Sequence, residues 1–116
     1  MSDVTIFHNP SCGTSRNTLA LLTGKGVQPK VVEYLKAGWT EAQLMDLFQR
    51  MGVSPRDVLR VRGTDAEARG LTDAEATDAQ ILAAMAENPI LVERPIVVTP
   101  KGAALCRPAE RALDLI

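Results

Sequence analysis

The apolar positions of this 116-residue chain follow two periods, one typical of strands and the other typical of helices. Short runs of β-branched and aromatic residues predict strands over residues 4–7, 30–34, 96–99 and 103–105. Apolar residues three or four positions apart predict helices over residues 15–22, 40–52, 77–88 and 108–116, with a further helix start at residues 54–55. The predicted order is therefore β-α-β, then a helical stretch, then β-β-α.

The order of these elements predicts the fold class. A helix that connects the first two strands favours their parallel pairing, whereas the short turn at residues 100–102 favours an antiparallel hairpin of the last two. This is the α/β layout of the thioredoxin-like fold, with a mixed four-stranded sheet and a helical insertion, at about residues 40–90, between the β-α-β and β-β-α halves. The length and the 46% hydrophobic content predict one domain over residues 1–116.

Charge and composition exclude several classes of partner. Thirteen Lys and Arg residues against fourteen Asp and Glu residues give a net charge of −1, so no basic field is available for a nucleic acid. The longest apolar stretches, such as residues 81–86, fall short of the roughly 20 residues of a membrane helix, and the N-terminus lacks a secretory pattern. We therefore expect a cytoplasmic protein without a membrane partner. Its two cysteines are too few for a disulfide scaffold, and no metal site is predicted.

Cys12 lies between the first predicted strand and the first predicted helix. At that point the free N–H groups of a helix N-terminus point at the sulfur and favour a thiolate, which predicts a nucleophile. Gly13 leaves the loop open to close approach, and Thr14, Ser15 and the ring of His8 could donate further hydrogen bonds to the sulfur. The alternatives are a cysteine that is a small buried residue and a histidine that is merely packed.

Three arginines supply candidate oxyanion ligands, namely Arg60, Arg94 and Arg107. Guanidinium groups donate paired N–H bonds to tetrahedral oxyanions and offset their repulsion of a thiolate. Arg94 precedes Pro95 at the start of the third strand, where this kind of fold tends to carry a cis peptide bond beside the reactive cysteine. The alternative is that these arginines are solvated surface residues, as most arginines are.

The chain resembles the glutaredoxin-coupled arsenate reductase family in five blocks that together extend over nearly its whole length. They are HNPSCGTSRNTL at residues 8–19, LR at 59–60, NPIL at 88–91, RPIVVTP at 94–100 and LCRP at 105–108. The resemblance implies that Cys12 attacks arsenate and that Arg60, Arg94 and Arg107 hold the oxyanion. It also implies that His8 lowers the pKa of the cysteine.

The resemblance further implies a reductant outside the protein. Cys12 forms a thiol-linked arsenate, glutathione attacks this adduct, the arsenic is reduced to As(III), and a glutaredoxin removes the glutathione as arsenite leaves. Glutathione is then a co-substrate, arsenate and glutaredoxin are the other partners, and no cofactor is bound. One protein cysteine suffices, so Cys106 either packs in the core or resolves a disulfide with Cys12.

Two other functions are compatible with the same fold. A general glutathione-dependent thiol reductase would use the arginines to bind glutathione carboxylates. A redox-sensing transcription regulator that binds RNA polymerase would use a Cys-x-x-Cys pair, and Ser15 stands where the second cysteine of that pair would be. Arsenate reduction is therefore the leading prediction.

Overall fold

A mixed sheet of four strands organises the first and last parts of the chain in the computed structural model, which describes residues 3–116. The strands are β1 (Thr5–His8), β2 (Lys30–Glu33), β3 (Ile96–Thr99) and β4 (Gly102–Leu105), in the spatial order β2-β1-β3-β4. β1 pairs in parallel with β2 and antiparallel with β3, and β3 and β4 form an antiparallel hairpin. The predicted α/β fold with a mixed sheet is confirmed.

Helix α1 (Gly13–Gly24) is the crossover between the parallel strands. It begins two residues before the predicted start at Ser15, because Cys12 takes the extended N-cap conformation and Gly13 is already helical. The predicted second strand is one residue too long, since Tyr34 opens the short helix α2 (Tyr34–Ala37). The predicted last helix is a 3₁₀ helix, Ala109–Leu115.

Contacts within the chain divide it into two compact units. The sheet unit consists of the residues up to Ala37 together with Arg94–Ile116, and the helical unit is Gly38–Glu93. The hydrophobic core of the sheet unit contains side chains from the strands and the positions next to them, from α1 and from the C-terminal 3₁₀ helix, namely Val4, Ile6, Leu22, Val97, Cys106 and Ala112. This core joins the N-terminal and C-terminal segments of the sheet unit.

The helical unit contains α3 (Glu41–Met51), α4 (Asp78–Glu87) and the 3₁₀ helices Pro55–Val58 and Pro89–Leu91. The Thr40 hydroxyl accepts the Gln43 N–H at 3.1 Å, and Gly52, with φ 69°, ends α3 in the left-handed conformation that glycine adopts without strain. Thr77 and Gln80 form a capping box at the start of α4. Within residues 3–116, no helix has the length and apolar character needed to cross a membrane.

Candidate active site

Cys12 is the N-cap residue of α1 and is half-buried. Its backbone is fixed on both sides, because its N–H donates to the carbonyl of Asn9 at 3.0 Å and its carbonyl accepts the Arg16 N–H at 3.0 Å. The side chain of Asn9 in turn accepts the Ser11 N–H at 2.9 Å. The loop between β1 and α1 therefore presents the thiol at the helix N-terminus, as the sequence predicts.

The surroundings of the thiol favour its ionised form. Burial is the largest influence and by itself raises the pKa of Cys12, but the backbone N–H of Ser15 and the side chains of Arg94 and Arg107 outweigh it and lower the pKa from 9.0 to about 7. The Nη1 atom of Arg107 lies 3.7 Å from the sulfur. At neutral pH about half of the thiol is therefore thiolate, the form that acts as a nucleophile.

Arg94 and Arg107 meet at the start of β3. Arg107 Nη1 also donates to the backbone carbonyl of Arg94 at 2.9 Å. Arg94 is 8% exposed, and its Nε and Nη1 atoms are buried with no hydrogen-bond partner among residues 3–116. Buried N–H groups without an acceptor are costly, so this guanidinium is suited to an anion that enters the site.

Each of these two arginines precedes a cis proline. The cis bond at Arg94–Pro95 agrees with the sequence-based expectation. The second cis bond, at Arg107–Pro108, was not anticipated, because a proline there is also the ordinary first residue of a helix. No sequence signal separates these two uses of proline.

His8 and Ser15 form a buried pair behind Cys12. The Ser15 hydroxyl accepts the Asn9 N–H at 3.0 Å and lies within hydrogen-bond distance of Nδ1 of His8, at 2.6 Å. Burial lowers the pKa of His8, and the Glu33 carboxylate, which raises it, is the weaker influence. Burial thus favours the neutral form of the ring, and the ring contacts Ser15.

Thr14 and Gly13, the other two residues that the sequence predicts near the thiol, have simpler surroundings. Thr14 contributes a carbonyl that accepts the Thr18 hydroxyl at 2.8 Å within α1. A Cβ atom added to Gly13 would meet only Arg16 Nη2, at 3.8 Å, which is an ordinary contact. The structure thus assigns neither residue a contact with the sulfur, and their supporting roles stay predictions. No group of three or more metal-ligating side chains occurs within residues 3–116.

Cys106 has the opposite environment to Cys12. It is fully buried in the core of the sheet unit, and its thiol contacts the carbonyl of Ala104 at 3.6 Å. Burial is the largest influence on this group and raises its pKa to about 11, whereas the Arg111 guanidinium has a smaller, lowering influence. These surroundings support the packing interpretation of Cys106.

Arg60 belongs to the helical unit, and the structure pairs it with a residue that the sequence analysis missed. Its Nη1 atom donates to Glu93 Oε1 at 2.8 Å. The two residues are 33 positions apart, so no local pattern indicates the pair. The predicted role of Arg60 as an oxyanion ligand stays a prediction.

The chain is similar to known proteins over nearly its whole length. The profile of the ArsC family matches residues 7–115. The chain belongs to the ArsC family. An arsenate reductase of Escherichia coli is 46% identical over 116 residues, which are 100% of this chain and 82% of that protein. The arsenate reductase ArsI2 of Synechocystis sp. is 53% identical over 113 residues, 97% of this chain and 81% of that protein.

A solved structure from the same group is closely similar. The arsenate reductase from Vibrio cholerae superposes with a TM-score of 0.94 at 40% identity, over 100% of this chain and 98% of that chain. The resemblance seen in the sequence blocks is therefore confirmed, and so is the thioredoxin-like architecture expected of an ArsC-family protein.

Proposed function

We propose that this ArsC-family protein is an arsenate reductase in which Cys12 is the nucleophile and Arg94 and Arg107 bind the oxyanion. The observation that carries the proposal is the buried Arg94 guanidinium, whose Nε and Nη1 atoms have no partner among residues 3–116, beside a thiol with a pKa of about 7. A tetrahedral oxyanion supplies acceptors for those donors and an electrophilic centre for the thiolate.

The first step joins the sulfur to arsenic. The Cys12 thiolate attacks As(V), an S–As bond forms, and one As–O bond breaks as its oxygen leaves as water after protonation. A thiolate and an arsenate anion repel each other, and the positive charges of Arg94 and Arg107 offset this repulsion. Arg60 is the proposed third ligand of the oxyanion.

The second step transfers two electrons. The thiolate of glutathione attacks the Cys12 sulfur, the S–As electron pair passes to arsenic, and As(III) leaves as arsenite. The product on the protein is a disulfide between Cys12 and glutathione. A glutaredoxin thiolate attacks the glutathione sulfur, the Cys12 thiolate leaves, and glutathione remains on glutaredoxin as a mixed disulfide. Two thiols are oxidised for each arsenate reduced. These reductants are cytoplasmic thiols, so the proposal includes a cytoplasmic location.

A coupled assay tests the proposal. Arsenate, glutathione, glutaredoxin and glutathione reductase are mixed with the purified protein, and NADPH consumption is measured. Cys12→Ser is expected to abolish turnover, whereas Arg94→Ala is expected to raise KM for arsenate, since a charge-assisted hydrogen bond is worth roughly 1.5 to 3 kcal/mol, or about 10- to 150-fold. Activity in Cys12→Ser would refute the assignment of the nucleophile.

The assay also separates the other functions of this fold. Turnover of a glutathione mixed disulfide without any turnover of arsenate would identify a general glutathione-dependent thiol reductase. Capture of RNA polymerase subunits by a protein inactive in both assays would identify a transcription regulator.

A further inference from the structure

Arg16 is a cation beside the thiol loop that the proposed reaction does not use. It lies near the N-terminus of α1, four positions after Cys12, and is exposed. Its Nη1 atom donates to the carbonyl of Pro10 at 2.9 Å, and its backbone N–H donates to the carbonyl of Cys12 at 3.0 Å. The Arg16 side chain therefore reaches back along the loop that carries the thiol and is held there.

One edge of the Arg16 guanidinium is free for a ligand. The Nε and Nη2 donors lie on one edge of the planar group, and together they bind both oxygens of a carboxylate. The bond to Pro10 uses Nη1, and no carboxylate pairs with Arg16 within residues 3–116. Nη2 lies 3.8 Å from the position that a Cβ atom on Gly13 would take. The free edge is thus beside the residue that follows Cys12.

The sheet unit has the charge that attracts an anionic thiol. It contains eight of the thirteen Lys and Arg residues of the chain but only four of the fourteen Asp and Glu residues. Arg94 is buried and Arg107 contacts the Cys12 sulfur, so both belong to the proposed arsenate site, whereas Arg16 is exposed. Glutathione is an anion with two carboxylates and one ammonium group. A positive surface beside the sulfur therefore favours its approach.

We propose that Arg16 binds a carboxylate of glutathione and thereby brings the glutathione thiolate to the Cys12 sulfur. This inference rests on the proposed function, which makes glutathione the thiol donor. Arg16 then determines which thiol reacts with Cys12 and takes no part in arsenate binding. The hydrogen bond to Pro10 restricts the side chain before glutathione arrives, which reduces the entropy lost on binding.

Thiol exchange on Cys12 tests the inference without arsenate. The Cys12 thiol is first converted to a mixed disulfide with 2-thiopyridine, and Cys106 is spared because it is fully buried. Glutathione or 2-mercaptoethanol is then added. Its thiolate attacks the Cys12 sulfur, a new S–S bond forms, the bond to the pyridyl sulfur breaks, and pyridine-2-thione leaves with the electron pair. The absorbance of pyridine-2-thione gives a second-order rate constant for each thiol.

The ratio of the two rate constants isolates the carboxylates of glutathione. Both reagents attack as thiolates, so 2-mercaptoethanol reports any effect of Arg16 on a thiolate that carries no carboxylate. Arg16→Ala is expected to slow glutathione by about threefold to tenfold and 2-mercaptoethanol by less than about twofold, because an exposed pair contributes modestly. Arg16→Glu is expected to slow glutathione further, since it repels the carboxylates. Equal slowing of both thiols, or no further slowing in Arg16→Glu, would overturn the inference.

Lys25→Ala is the matched control. Lys25 is an exposed cation at the C-terminal end of the same helix, about 18 Å along the axis from its N-terminus. Its removal is expected to leave the ratio of the rate constants unchanged, and a loss as large as that of Arg16→Ala would overturn the inference. In the wild type, an increase from about 0.05 M to about 0.5 M salt is expected to lower the ratio, and a constant ratio would also overturn it.

The coupled assay separates this inference from the proposed function. In that assay Arg16→Ala is expected to raise KM for glutathione and to leave KM for arsenate within about twofold of the parent value. A rise in KM for arsenate alone would place Arg16 in the arsenate site and overturn the inference. If the wild type does not turn over arsenate, the proposed function fails, but a selective loss of glutathione exchange in Arg16→Ala still supports the role of Arg16.

Discussion

Removal of Arg107 is expected to raise the pKa of Cys12. An ordinary thiol with a pKa of 9.0 is about 1% ionised at pH 7, whereas the pKa of about 7 at this site makes about half of it thiolate. The Ser15 N–H, Arg94 and Arg107 all lower the pKa of Cys12. The loss of Arg107 therefore leaves the influence of the other two in place. We expect Arg107→Ala to move the titration midpoint of the Cys12 thiol to between about 7.5 and 8. This change lowers the thiolate fraction at pH 7 by about twofold to fivefold.

Alkylation by iodoacetamide measures this midpoint without any substrate. The rate follows the thiolate, so it rises with pH through the pKa of Cys12 and reaches a plateau above it. Cys106 does not contribute, because it is fully buried and its pKa is raised to about 11. Mass spectrometry of the alkylated protein confirms that Cys12 alone has reacted, and the profile is recorded from about pH 5 to about pH 10.

Arg111→Ala provides the control for charge alone. Arg111 is exposed on the 3₁₀ helix of the same unit, and it influences the pKa of Cys106 rather than that of Cys12. Its removal is expected to leave the Cys12 midpoint unchanged. A wild-type midpoint near 9, or equal midpoints in Arg107→Ala and the wild type, would refute the reasoning. An equal rise in Arg111→Ala would show that net charge, and not the contact at 3.7 Å, sets the pKa.

Two further predictions concern residues around the site. Cys106→Ala is expected to keep arsenate turnover in the coupled assay, because the buried thiol takes no part in the proposed cycle. Loss of turnover with an unchanged circular dichroism spectrum would contradict this prediction. Ser15→Ala is expected to lower the free energy of unfolding by about 1 to 3 kcal/mol in urea titrations, since it leaves the Asn9 N–H and the His8 ring without their buried partner. Ser11→Ala, at an exposed position, should change the free energy of unfolding little. Equal effects of the two substitutions would contradict the argument.

The sequence predicts most of the fold because most of its signals are local. The period-2 runs locate the strands, the crossover helix indicates the parallel pair, and Thr40 and Thr77 mark the first turns of α3 and α4. The errors lie at boundaries. Tyr34 extends the apolar run of β2 but opens a helix, and the C-terminal segment has a helical pattern that does not distinguish 3₁₀ from α geometry over seven residues.

The candidate site is less predictable because its contacts are distant in sequence. The position of Cys12 follows from the strand-loop-helix pattern alone. Its contact with Arg107, however, joins residues 95 positions apart, and the Arg60–Glu93 pair joins residues 33 positions apart. The Ser15 hydroxyl was expected to donate to the sulfur, yet it bonds His8 while its backbone N–H lowers the pKa of the thiol. Such choices among available partners depend on packing, which a local pattern does not encode.

The two cysteines show how surroundings, rather than residue type, divide the chemistry. Cys12 is held at a helix N-terminus among cationic donors with a pKa of about 7, and Cys106 is enclosed in the apolar core with a pKa of about 11. For Cys106 to resolve a disulfide on Cys12, it would have to leave the core and ionise against its burial. Both requirements oppose an internal dithiol cycle. The second thiol of the proposed reaction therefore belongs to another molecule, which is the place that the proposal gives to glutathione.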